Sequence, residues 1–150
     1  MYLMLMHLDI ITPDRAVYDG DCSSITLPTA DGEITVLPRH VPLVTTIVPG
    51  TMTVRAPNRE ELYAVSRGVI EIDGKSVRVL TDIADRADSL EEAEIEKAKQ
   101  EAELIMSEKR SDAESFAEAT AVLDRELARL RTVRRHRARR VPGVTPPTDQ

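Results

Sequence analysis

Three histidines, a single cysteine and a crowd of arginines are the side chains here able to bind a metal, move a proton, attack an electrophile or hold phosphate. His7 lies in an alternating apolar run, His40 in a proline-rich stretch and His136 in a basic helix end, with no H-x-H or H-E-x-x-H spacing. No carboxylate stands at a spacing that would make His40 an acid–base group, so packing or an interface is its expected role. Cys22 follows Asp21, whose charge raises a thiol pKa and makes a poor nucleophile. Gly32-Glu33 and Asp73-Gly74 lack the Gly-rich Lys-Ser/Thr sequence of a phosphate loop. These residues predict no catalytic group, no metal and no enzyme activity of the chain's own.

What remains is the chemistry of surfaces. Glu91, Glu92, Glu94, Glu96, Glu101, Glu103 and Glu108 make one stretch acidic; Arg125, Arg129, Arg131, Arg134, Arg135, Arg137, Arg139 and Arg140 make a later one basic. Laid antiparallel, the two clusters run side by side, and each exposed pair contributes about 0–1 kcal/mol. The alternative is that the basic end serves an acidic surface elsewhere. The segment Leu27 to Leu43, LPTADGEITVLPRHVPL, sets Pro28, Pro38 and Pro42 among alternating apolar residues. Prolines fix φ and lack a backbone donor, so this segment reads as a sheet edge or wrapped loop that forms a rigid docking surface. Its apolar residues Ile34, Val36, Leu37, Val41, Leu43 and Val44 exceed what a solvated loop carries.

Two bodies position these features. Short alternating runs recur at Leu3–Ile11, Ser24–Leu27, Ile34–Leu37, Val44–Val48, Met52–Arg55, Leu62–Ser66, Val69–Ile72 and Val77–Leu80, the spacing of a sandwich or barrel. Asp73-Gly74 marks a two-residue hairpin. No Gly or Pro occurs from Lys75 to Val141, which signals helix. Ser89 with Glu92 and Ser111 with Glu114 have capping-box spacing, so helices are expected from about Asp88 and Asp112, joined by a turn around Ser107 to Ser111. Ile95, Ala98, Ala102 and Ile105 stripe the first helix, and Phe116, Ala119, Leu123, Leu127 and Leu130 the second. Alanine-rich stripes bury little area, so the hairpin is expected to hold itself and the head by only a few kcal/mol, at about 25 cal/mol per Å².

With 150 residues, 41% hydrophobic but only 3% aromatic, the chain suits one domain, or one compact domain with an appendage, around an aliphatic core. A lone cysteine rules out an internal disulfide. The apolar start, interrupted by His7 and Asp9, is too short to span a bilayer and has no basic leader, so no direct membrane insertion is expected. A second functional class is a nucleic-acid-binding module: a small β-domain with the Arg-rich helix RLRTVRRHRARR, able to neutralise phosphates. The net charge of −6 and the lack of stacking aromatics oppose it.

Ile11-Thr12-Pro13-Asp14, Val17-Tyr18-Asp19-Gly20, Leu27-Pro28, Gly32-Glu33, Leu37-Pro38, His40-Val41-Pro42-Leu43, Pro49-Gly50, the run Tyr63 to Ile72 and Val77-Arg78-Val79-Leu80 follow one another in one order. By these motifs the chain, from Leu8 to Val133, resembles the epsilon subunit of the bacterial F-type ATP synthase. It departs at Thr29, Thr35 and Arg39, where the family usually has glycine, and at Arg67, where it has Gly or a small residue.

The resemblance implies a mainly β plus α fold. A β-sandwich head covers about residues 1–86, an antiparallel two-helix hairpin 88–140, and a disordered tail 141–150. It implies a noncatalytic central-stalk subunit, peripheral on the cytoplasmic face of the plasma membrane. The head would couple the gamma subunit to the c subunits of the rotor ring through Glu33, Leu37, Pro38, Arg39, His40, Val41, Pro42 and Leu43. The hairpin would restrain ATP hydrolysis by extending to the catalytic beta subunit, with Arg125, Arg129, Arg131 and Arg134 as contacts and Ser107 and Glu108 close by. Some members bind ATP in the hairpin through an Ile/Leu-Asp-x-x-Arg-Ala motif. Registered on Arg125 to Leu130, this chain has Glu114, Ser115 and Glu118 at the motif's apolar, Asp and Arg positions. An acid there repels phosphate, so no nucleotide or other cofactor is expected.

Overall fold

The computed structural model describes residues 4–140. Ten strands precede the helices: β1 (Met6–Ile11), β2 (Ala16–Cys22), β3 (Ser24–Thr29), β4 (Gly32–Val36), β5 (Leu43–Ile47), β6 (Gly50–Ala56), β7 (Arg59–Val65), β8 (Gly68–Ile72), β9 (Ser76–Thr81) and β10 (Ala84–Arg86). One layer runs β10-β7-β6-β3-β4 and the other β5-β8-β9-β1-β2, joined by the single pair Thr29–Ile47. Inward residues of both layers form one core that includes Leu8, Ile10, Ile25, Leu27, Met52, Val54, Val65, Ile70, Val77 and Val79. The head is thus a β-sandwich with an aliphatic filling. Tyr63 is its largest fully buried side chain and donates its hydroxyl to Glu61 Oε2 at 2.7 Å.

Two strands escaped the sequence patterns. β2 lies outside the alternating runs, yet Tyr18 and Cys22 are buried and the strand pairs with β1, with a register shift between Ile10 and Ile11. β10 has only three residues. Of the segment expected as a sheet edge or wrapped loop, Pro38 and Pro42 lie in a loop, whereas Pro28 lies in β3, which has neighbours on both sides. Pro28 falls where β3 stops pairing with β6 at Thr26 and meets β5 at Thr29. Its carbonyl accepts the Val48 N–H at 3.2 Å on that flank, so the missing donor points into the gap between β6 and β5 and removes no ladder bond. In the β8–β9 hairpin the loop pair is Gly74 and Lys75, closed by Asp73 N–H to the Ser76 carbonyl, rather than Asp73 and Gly74. The Asp73 carboxylate accepts the N–H groups of Lys75 and Ser76 and the Ser76 hydroxyl, which holds its pKa below the ordinary value.

A 3-10 turn (Ala87–Ser89) leads into α1 (Glu92–Glu108), and α2 (Ala113–Arg140) returns antiparallel along it. Ser89 does not cap α1: it lies in the turn, where its hydroxyl donates to the Arg86 carbonyl, and Glu91 is the cap residue. Asp112, not Ser111, caps α2, accepting the Ser115 N–H at 3.2 Å and the Ser115 hydroxyl at 2.9 Å. Only part of each expected stripe is covered. Ile95 packs with Leu130 and Val133, and Ala102 and Ala119 are buried as well, whereas Ile105 and Phe116 near the hairpin's tip stay exposed.

α2 has a second contact face. It packs across β6 and β7, whose outward residues Thr51, Thr53, Leu62 and Ala64 are buried although they point away from the sandwich core. A plain two-sided sheet would leave them wet, so the arm explains why β6 and β7 are buried on both faces.

Candidate functional site

The loop between β4 and β5 turns sharply at Leu37–His40, closed by His40 N–H to the Leu37 carbonyl at 3.1 Å. Pro38 takes the second position and Arg39 the third, with φ 66°, the arrangement of a type II turn that normally wants glycine there. His40 donates from Nδ1 to the Val41 carbonyl at 2.7 Å, which spends its ring on holding the loop. Leu37, Val41 and Val44 are 57%, 70% and 68% exposed, beside the exposed Pro42 and Leu43. Glu33 stands apart, four residues back along β4 from Leu37, so the eight residues expected to dock make a loop and a separate acid. Val44 in β5, nearly as exposed as Val41, extends this apolar set beyond Leu43.

The loop borders a sheet face with no helix on it. Strand register sets Thr46, Val69, Leu80 and Ile11 in one row across the β5-β8-β9-β1 layer, then Val44, Glu71, Arg78, Asp9 and Asp19 in the next. An apolar band therefore lies beside a charged one. At the far edge His7 meets three carboxylates: Nε2 is 3.0 Å from Asp19 and 3.4 Å from Asp9, and Nδ1 is 3.3 Å from Asp21. The Asp21 hydrogen bond first, then the charges of Asp9 and Asp19, raise the His7 pKa above its usual 6.5. Histidine spacing gave no hint of this cluster; the signal was H-x-D on one strand opposite D-x-D on the next, which period-two geometry puts on one face. Cys22 is buried in the core, and burial, with a smaller contribution from Asp21, pushes its thiol up to about 11.

On the opposite layer, α2 is tied to the head by polar pairs. Arg129 donates from Nε to Asp85 on β10 at 2.8 Å and from NH1 to Glu126 at 2.7 Å. Glu126 is only 3% exposed, and Arg125 Nε at 3.5 Å gives it a second cation, the pairing a buried carboxylate needs. Thr132 shares a buried hydroxyl contact with Thr51 at 2.8 Å, and Arg139 pairs with Glu60. Along the hairpin, Arg134 reaches Glu92 and Glu96, and Arg137 reaches Glu92 at 2.7 Å. The Arg-rich end is thus largely engaged by the chain's own acids, while Arg131 is exposed with no ion pair among the described residues.

The four arginines expected to face an outside partner do not form one patch. At 100° per residue, Arg125 and Arg129 fall on the side of α2 toward the head, and Arg131 and Arg134 on the far side. Ser107 and Glu108 end α1 and are exposed at the tip of the hairpin. Several hollows, two of them acidic, flank the helices. The groove of about 440 Å³ between them carries Glu101, Glu118 and Glu126 against Lys109 and Arg125. The hollow at the foot of α1, about 390 Å³, carries Asp85, Glu91, Glu94 and Glu126 against Arg129 alone. Excess negative charge in both opposes a polyphosphate.

Residues 5–87 match the family described as the beta-sandwich domain of the ATP synthase Delta/Epsilon chain. A protein of Nitrosomonas eutropha called "ATP synthase epsilon chain" is 39% identical over 91% of this chain and 97% of its own length. The same-named protein of Chloroflexus aggregans is 37% identical over 91% of this chain and 98% of its own. This chain belongs to the ATP synthase epsilon chain family. A solved chain from the Euglena gracilis mitochondrial ATP synthase shares the fold, with TM-score 0.70 at 21% identity over 80% of this chain and 76% of that one.

Membership gives the departures from the family's usual glycines a structural reading. Arg39 keeps the left-handed backbone that a glycine would adopt without strain. Thr29 is buried, donates to the Gly32 carbonyl at 2.6 Å and accepts the Asp31 N–H, so it pins the β3–β4 turn. Thr35 meets the Thr26 hydroxyl across the strands at 2.9 Å. At these two threonines no crowded backbone approach needs a glycine. Where the approach is close the chain does keep one: a β-carbon on Gly68 would lie 2.1 Å from the Leu80 carbonyl oxygen.

Proposed function

We propose that this subunit couples the gamma subunit of the ATP synthase to the c subunits of its rotor ring and regulates ATP hydrolysis through its helical arm. It works peripherally, on the cytoplasmic face of the plasma membrane. The observation that carries the proposal is the head's asymmetry: one layer is clasped by α2, while the other layer and the Leu37–Leu43 loop present uncovered apolar residues. A coupling joint must transmit force, so it needs an interface larger than a passing encounter and apolar at its centre. Glu33 and the segment Leu37, Pro38, Arg39, His40, Val41, Pro42 and Leu43 supply the contacts to gamma and the ring.

The arm acts on the catalytic beta subunit. Because Arg125 and Arg129 face one way and Arg131 and Arg134 the other, that partner must receive α2 in a groove. Ser107 and Glu108 sit at the end that enters first. The acidic hollows beside the helices argue for regulation without bound ATP. Truncation after Asp88, with assembly and ATPase assays, tests the division of labour. Retained assembly with faster hydrolysis is expected; lost assembly overturns the proposal, because the helices would then be structural.

A further inference from the structure

Among the described residues, α2 alone of the two helices makes extensive contact with the strands of the head; α1 is carried on α2. The stripe that α2 turns toward the head holds Arg129, Thr132, His136 and Arg139, at steps of three and four residues. Three of the four have a partner in the head: Asp85, Thr51 and Glu60. The fourth, His136, has its Nε2 buried with no hydrogen-bond partner. Beneath the stripe lie Thr51, Thr53, Leu62 and Ala64, so one large apolar side chain is buried there. The apolar cluster of the arm itself, Ile95, Leu130, Val133 and Leu90, takes no residue from the strands.

We infer that Asp85, Thr51 and Glu60 form a latch that sets how often the arm leaves the head, with Asp85 its principal positioning residue. The inference rests on the regulatory reading of the arm. Arg129 cannot hold Asp85 and an outside carboxylate at once, so docking on the head and engagement of the catalytic subunit exclude each other. The two ion pairs of the latch are partly exposed, so salt weakens them within a Debye length of about 10 Å at 0.1 M. The unpaired His136 nitrogen adds a penalty that release removes. Asp85 therefore acts against inhibition: losing it frees the arm for its partner, whereas losing Arg129 disables both states. The two members of one ion pair have different expected effects on hydrolysis.

The test uses the full chain labelled at Arg15 on the head and Ser111 at the hairpin tip, both exposed, with distances read by pulsed EPR. Asp85→Asn is expected to raise the released-to-docked ratio about five- to tenfold, and Thr51→Val and Glu60→Gln to raise it less. Asp85→Glu should restore docking in part. Raising salt from about 20 to 500 mM should release wild type more than an Asp85→Asn/Glu60→Gln chain. An unchanged distance distribution in Asp85→Asn overturns the latch. In the assembled ATPase, Asp85→Asn should slow hydrolysis. Release without any change in hydrolysis would leave the latch standing and overturn the regulatory reading.

Discussion

Replacing Arg39 by glycine is expected to stabilise the fold although it deletes a long surface side chain. Arg39 sits at φ 66° in the turn Leu37–His40. A β-carbon in the left-handed region costs about 1–2 kcal/mol, and glycine avoids that cost. Glycine also frees the unfolded chain, which takes back about 0.4–1 kcal/mol. The arginine side chain offsets little, because it is exposed and has no ion pair among the described residues. The net gain is about 0.5–1 kcal/mol, equivalent to about 1–4 °C in the melting midpoint of a chain this size. Arg39→Val should move the other way by at least as much, since a β-branched residue at positive φ is a worse fit. Urea unfolding of both variants against wild type, at unchanged slope, measures the difference. Arg39→Gly at or below wild type, or Arg39→Val equal to it, would refute the strain argument.

Gly68→Ala should cost about 3 kcal/mol or more, or abolish soluble protein, because the new methyl meets the Leu80 carbonyl and Thr81 Cα, backbone atoms that cannot swing away; a unfolding midpoint equal to wild type would show that β8 and β9 can separate cheaply. His7 has a folded pKa above its unfolded value, so its contribution is complete below pH 6.5 and disappears as pH rises through the raised folded value. Proton NMR titration of the ring, with thermal melts of wild type and His7→Gln from about pH 6 to 9, checks this. The two melting curves should converge at the alkaline end, and a constant gap would count against the ion-pair account.

Local rules carried the sequence reading a long way and failed at identifiable points. Alternation located the strands that feed the core, because Ile25, Leu27, Met52 and Val54 obey a period of two. β2 is not legible by alternation because Asp19, Gly20 and Asp21 separate its two buried residues, Tyr18 and Cys22, and pairing with β1 decides the matter. The break between the helices was visible in Ser111 to Glu114, yet the capping side chain proved to be Asp112. Stripes on α2 predicted the face toward α1 and said nothing of the face toward the head. That second face depends on partners far away in sequence, Asp85 for Arg129 and Thr51 for Thr132, which no spacing rule connects. The exposed loop was legible as a proline-rich apolar surface, but the left-handed backbone at Arg39 was not, since arginine seldom adopts it.

The small residues beneath α2 have a further consequence. A head whose helices have swung away uncovers threonine hydroxyls, an alanine and one leucine instead of a greasy scar. Such a surface wets readily and invites neither clumping nor capture by chaperones. If the arm leaves the head as proposed, the face it uncovers would not turn the open form into a liability.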